Sequence, residues 1–333
     1  MPATCAPGCG PGRRPDHGAG EKTRVLAPVS PESDHAPIDW HGICMSSPSV
    51  ARGTAAVHRI LLLTPVRKMS FRLSCRWIGV TAAVVWVAVA LQGRIATANF
   101  DVHGVSSARA ETIVRHAEQV RERGFATLLG TDAPAAWTVR CEIHLHAAEE
   151  SFAAVVGGPP DGARGATSIE FAEADVCVRR IDLMDDDPTV VPDALAHELV
   201  HVILADHFTA APPPRWADEG LAVLFDDEEK QAGHARDFAA ARRAGMTWSA
   251  SHLLAMEDYP REPHRQRVFY GQSAALVRWL IDQRGAATLL SFLDDAAAIG
   301  EGPALERHYG FSTVAALERA WLSQPADTDV GVD

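Results

Sequence analysis

The run Ala194-Leu195-Ala196-His197-Glu198-Leu199-Val200-His201-Val202-Ile203-Leu204 sets three ionisable side chains among residues that are otherwise all apolar. Such a run has to be buried, and a buried polar group is costly unless something compensates it. In a helix, residues four apart differ by only about 40° around the axis, so His197 and His201 leave the same face and can hold one ion. Glu198 lies about 100° round from His197, close enough to touch a water on that ion without being its nearest ligand. Asp193 is placed to cap the helix, and Leu195, Leu199, Val202 and Ile203 to bury it. The pattern predicts an active-site helix over roughly 192–207 with a cation beside it.

A catalytic zinc takes three protein ligands and keeps a fourth position open for water. The third ligand is sought downstream, in Pro214-Arg215-Trp216-Ala217-Asp218-Glu219-Gly220-Leu221-Ala222-Val223-Leu224-Phe225, where a helix is expected after three prolines. Glu219 falls in a stretch that Trp216, Leu221 and Leu224 should bury, and a carboxylate there is costly without a cation. Glu219 is therefore the expected ligand. Asp218 is the alternative, and is expected instead to hydrogen-bond a ligating histidine from outside the coordination sphere. One Zn²⁺ per chain is the expectation.

These two segments together resemble the gluzincin metallopeptidases, specifically the peptidase MA-like domains. That pattern is His-Glu-x-x-His followed by Trp-x-x-Glu-Gly-[Leu/Phe]-Ala, here His197–His201 and Trp216–Ala222. The stretch from Tyr270 through Trp279 and Gly285 to Trp321 resembles the family as well, so the likeness covers about 105–325. It implies a zincin-like α+β fold: a small N-terminal β-sheet with helices, the active-site helix, then a mostly helical C-terminal half. It also implies peptide-bond hydrolysis of a peptide or protein substrate, with Glu198 as general acid/base. Tyr270 matches a family tyrosine position and is the candidate donor to the developing oxyanion; His264 and His252 are further candidates. Two departures stand out. The 17 residues between His201 and Glu219 are one fewer than is usual in the related aminopeptidases, a difference a loop absorbs. The Gly-x-Met-x-Asn substrate motif of those enzymes is absent, so aminopeptidase specificity is not carried over. The alternative function is an inactive, zinc-stabilised binding or scaffold protein on a peptidase fold.

Charge and composition divide the chain. Residues 1–98 hold 11 Lys and Arg against 5 Asp and Glu, and 99–333 hold 20 against 38. An acidic body without a basic stripe excludes nucleic acid as a partner. Residues 1–68, with nine Pro and seven Gly, show no sustained period and read as a disordered leader, possibly untranslated, with Met69 the true start. Arg72 and Arg76, the uncharged run 77–93 and Ala96-Thr97-Ala98 lay out a secretory signal peptide over 69–98, cut after Ala98. The catalytic body, 99–333, is then exported to the periplasm or the extracellular space. The rival is a membrane anchor through 77–93, left uncleaved, with the body outside the cytoplasm.

Within the body, Ser107 to Leu129 reads as an amphipathic helix, and Trp137–His146, Thr167–Phe171 and Val176–Leu183 as strands. The edge strand of the sheet is expected to present peptide by main-chain pairing. Cys141 and Cys177 fall on strands that could be neighbours, and a bridge between them is expected if the body is exported. His144 and His146 share a strand face without a third metal partner nearby. The acidic runs 185–187 and 226–229 read as solvated loops.

Overall fold

A computed structural model describes residues 39–45, 95–134, 136–156, 163–172 and 175–323, with the first of these as backbone only. Most of the leader and the run 77–93 lie outside the described residues. Asp39–Met45, inside the stretch expected to lack regular structure, forms a strand, β1. Its backbone groups pair along the free edge of another strand, a pairing that needs no side-chain alternation of its own.

The architecture is α+β and mostly helical. Five further strands follow: β2 (Ile95–Ala96), β3 (Phe100–His103), β4 (Cys141–His146), β5 (Ala163–Ala172) and β6 (Asp175–Met184). They form one mixed sheet in the order β1-β5-β6-β4-β3-β2. β3, β4 and β6 run parallel, while β5 is antiparallel to β6, β1 to β5 and β2 to β3. The turn from β2 to β3 carries the expected cleavage point. There Thr97 accepts from the amides of Asn99 and Phe100, and the Asn99 side chain binds Glu118 and the Trp137 amide. Cleavage after Ala98 would remove β2 and the Thr97 contacts.

The helix α1 (Ser107–Gly124) begins at Ser106, whose hydroxyl accepts from the Arg109 amide, and buries Ala110, Ile113, Val114, Ala117 and Val120 along one stripe. It ends earlier than expected. Phe125–Leu129 widens into a π-helical turn that stops at Gly130, where φ is 64°. The strand expected from Trp137 begins at Cys141, and α2 (Glu149–Val156) leads from it to β5.

One face of the sheet forms the core with α1 and with α3 (Ala194–Leu204). Phe100, Val102, Ile143, Leu145, Ile169, Ile181 and Leu183 pack against Ile113, Leu195, Leu199, Val202 and Ile203. Asp193 stands at the N-cap position of α3, yet its side chain makes no capping bond; its own backbone is already helical, so the carboxylate is not aimed at the first amides. The remainder is helical: α4 (Arg215–Val223), α5 (Glu228–Arg243), α6 (Ala250–Leu254), α7 (Pro263–Arg284), α8 (Ala286–Ile299), α9 (Glu301–Tyr309) and α10 (Val314–Leu322).

Gly220 explains how α4 is seated. A Cβ there would stand 2.5 Å from Val277 and 2.8 Å from the Ser273 carbonyl oxygen, so only glycine lets α4 approach α7 this closely. The residue before it is Glu219.

The expected disulfide is absent. Cys141 and Cys177 are both free, the first buried and the second exposed. The register pairs Glu142 with Arg180, so Cys141 stands opposite Arg179 and Cys177 lies two residues further on. That offset puts the two Cα atoms about 8 Å apart, past the reach of a bridge.

Candidate metal centre

Helix α3 brings His197 and His201 onto one face, and α4 crosses it with Glu219. One ligand atom from each of the three lies within 4.8 Å of the others, and all three side chains are buried. Nε2 of His197 is 3.2 Å and Nε2 of His201 4.0 Å from the same Glu219 oxygen, Oε2. The imidazole rings meet edge to face with centroids 5.2 Å apart. Two helices separated by a proline-rich loop thus aim three donors at one point.

Each histidine is held from behind by a carboxylate. His201 Nδ1 lies 2.8 Å from Asp218 Oδ1, so the residue weighed as an alternative ligand orients one instead. His197 Nδ1 lies 3.3 Å from Oδ1 and 3.4 Å from Oδ2 of Asp226. Lys230 Nζ, 2.9 Å away, compensates that second carboxylate. Asp226 was expected in a solvated acidic loop; the chain past α4 folds inward there, leaving Asp226 buried and only its successor, Asp227, free to cap α5. A carboxylate at Nδ1 fixes the tautomer that leaves Nε2 facing the shared point.

Glu198 is fully buried beneath β5. Its Oε2 accepts a 2.6 Å hydrogen bond from Thr167 Oγ1, and Oε1 has no hydrogen-bond partner. A Cβ at position 165 would stand 2.6 Å from that Oε1, so Gly165 is the gap into which the carboxylate fits. Sequence reasoning missed Thr167 and Gly165, because only the pairing of β5 over α3 reveals them.

Tyr270 lies two turns inside α7 and is buried, its ring 6.4 Å from that of His197 and 5.7 Å from that of His234. A second tyrosine touches a ligand. Tyr259, in the break before α7, donates its hydroxyl to Glu219 Oε1, while Arg215 stacks over its ring at 4.5 Å. His252 and His264 occupy exposed positions on α6 and α7.

Electrostatics follow from the burial. Desolvation pushes the Glu198 carboxyl up, partly opposed by His201, His197 and Thr167. Burial alone would lower His201, but Asp218 at Nδ1 and Glu219 nearby overcome it and push the imidazole up to about 9. Glu219 is driven up by burial and down by both histidines and Tyr259, and ends below the ordinary carboxylate range. The site is thus built for positive charge.

The fit to a cation is supported by what is left unsatisfied. His201 Nε2 is buried without a hydrogen-bond partner, beside two further donors, His197 and Glu219, whose other atoms are already bound. An ion at the shared point would satisfy it. The described residues also hold a second group of possible ligands, His103, Glu142 and His144.

No family model, curated protein or solved structure matches the chain.

Proposed function

We propose that the chain is a zinc metallopeptidase of the gluzincin type, with His197, His201 and Glu219 as ligands and Glu198 as general acid/base. The carrying observation is the convergence of two imidazoles and one buried carboxylate within 4.8 Å, each histidine backed by its own carboxylate. Two nitrogens and an oxygen suit Zn²⁺, and three ligands leave a position open. The zincin-like reading of the fold rests on the same pair of crossed helices beside the antiparallel strand β5.

A bound zinc supplies Lewis acidity, drawing the pKa of a water to roughly 7 and polarising the scissile carbonyl. The rest falls to side chains of this chain. Glu198, next to His197 on α3, takes a proton from the attacking water and passes it to the leaving amine. Thr167 holds one carboxylate oxygen of Glu198 and leaves the other for that task. Asp218 and Asp226 hold the imidazoles in register. Tyr270 beside His197 and Tyr259 beside Glu219 are the candidates for the donor to the oxyanion. Strand β5 runs past Glu198, and an extended peptide pairing along it would pass the site; β1 holds that edge here.

A second reading has one observation in its favour. The ligands and Glu198 are all buried, as in a metal site that only stabilises the fold. Glu198 weighs against it, since a purely structural site has no use for an acid/base and usually closes its fourth position. In either case the signal-peptide layout of 69–98 supports export, and no helix among the described residues is long and apolar enough to cross a membrane.

Metal analysis combined with a mixed peptide library separates the readings. Wild type should carry zinc and hydrolyse peptides, and His201→Ala and Glu219→Ala should lose both. Glu198→Gln should keep zinc while hydrolysis falls by several orders of magnitude. Zinc without turnover in wild type supports the scaffold; full activity in Glu198→Gln overturns the mechanism.

A further inference from the structure

The face of the sheet turned away from α3 carries a cluster that plays no part in the chemistry above. β3 and β4 run parallel with Asp101 opposite Glu142 and His103 opposite His144. Residues two apart on a strand share a face, so these four side chains form a two-by-two patch of two imidazoles and two carboxylates. The residues between them, Val102 and Ile143, point into the core, which fixes the direction of the patch. On that face the sheet is covered only in part, by the small cluster of Phe152, Ala163, Ala166 and Met184.

The patch is close-set. The His103 and His144 rings stack with centroids 4.6 Å apart and planes 14° from parallel. His144 Nε2 lies 3.1 Å from Glu142 Oε2. His103 Nε2 is buried without a hydrogen-bond partner, and Asp101 Oδ1 stands 3.6 Å from it. One ligand atom each from His103, Glu142 and His144 falls within 4.8 Å of the others. His146, which follows on the same face, is already engaged: its Nε2 lies 2.7 Å from Asp182, which also binds Arg180.

We propose that His103, His144 and Glu142 form a second metal site, which binds a divalent first-row transition ion across β3 and β4. Two imidazoles and one carboxylate select Zn²⁺, Cu²⁺ or Ni²⁺ over Ca²⁺ or Mg²⁺, which take oxygen ligands. Bonds of about 2.1 Å place tetrahedral ligands about 3.4 Å apart, so small rotations of the partly buried rings close the set. Arg180, on the strand beyond β4, donates twice to Asp182, which holds its guanidinium. The ion would satisfy the orphaned His103 nitrogen and clip together two strands that share only four paired positions. The site is independent of the α3 centre, from which the sheet separates it.

The test uses the full chain with His197→Ala and His201→Ala, which removes the first centre. Equilibrium dialysis against Zn²⁺ should leave one ion per chain. Adding His103→Asn or Glu142→Gln should weaken that binding at least tenfold. Cu²⁺ in the same background should give an electron paramagnetic resonance spectrum with two nitrogen donors, reduced to one by His103→Asn. If the double variant fails to fold, the count is made on the otherwise wild-type chain, where zinc per chain should drop by one in His103→Asn/Glu142→Gln. No zinc beyond the first centre, or binding undiminished in the His103 and Glu142 variants, overturns the proposal.

Discussion

Asp226 stands 3.3 Å from Nδ1 of His197, joining the residue just past α4 to the centre of α3. With Asp218 at Nδ1 of His201, it gives the two histidines of one face matched carboxylate supports from a single neighbouring segment. Removing either support should loosen the ion without removing a ligand. Asp226→Ala and Asp218→Ala are each expected to weaken zinc binding by about 10–100-fold, read by competition with a chelating dye. Affinity unchanged in both variants would mean the carboxylates do not tune the site.

Gly165 offers a sharper probe of Glu198. The methyl of Gly165→Ala would stand 2.6 Å from Oε1 and 2.8 Å from Cγ of Glu198, so the acid/base has to move. Displacing a catalytic group by about 1 Å can cost about 100-fold in rate, and a loss of that order is expected in kcat with zinc content unchanged. Wild-type kcat in this variant would show that Glu198 does not need its observed position.

The far end of α3 is tied down by Arg179. Its guanidinium donates to the Val202 carbonyl and to Asp206, and lies 4.8 Å from the centroid of Trp137, which Arg121 covers at 4.6 Å from the ring. Arg179→Ala would remove the ion pair to Asp206, which keeps its bond from the Trp137 indole, and the bond to the Val202 carbonyl. A loss of roughly 2–3 kcal/mol is expected in urea unfolding. A change below about 0.5 kcal/mol, the scale of a neutral surface substitution, would refute the tie.

His234 makes stability depend on pH. Burial, with help from Lys230 and His197, pushes its imidazole down from 6.5 to about 4 against the pull of Asp226. The native chain therefore keeps the ring neutral where the unfolded chain binds a proton. This contribution is complete above 6.5 and is lost as pH falls from 6.5 towards 4. The loss amounts to about 3 kcal/mol at most, and His234→Gln should flatten that part of the urea-midpoint profile. An identical slope in the variant would assign the acid sensitivity elsewhere.

How much of this was legible in the sequence depends on how local the signal is. Helix α3 and its two histidines follow from a four-residue spacing inside an apolar run. Glu219 follows from the cost of burying a carboxylate. Both arguments use neighbours along the chain. Asp226 and Thr167 were out of reach because their roles depend on where α4 stops and which strand lies over α3. The cysteines show the same limit from the other side: both strands exist and are adjacent, but a two-residue register offset keeps the thiols apart. Tyr259, followed at once by Pro260, carried no periodic signal. The partners of His103 became visible only once β3 was set beside β4.

Strand β1 has a last consequence. By pairing from Asp39 to Met45 it hides the row of amides and carbonyls on β5 from Glu170 to Ala163. A shortened chain starting at Asn99 would bare that row, an unprotected border on which another copy could nucleate β-stacking. Such a product should be the more adhesive form, prone to self-association in proportion to its concentration, while the longer chain stays dispersed.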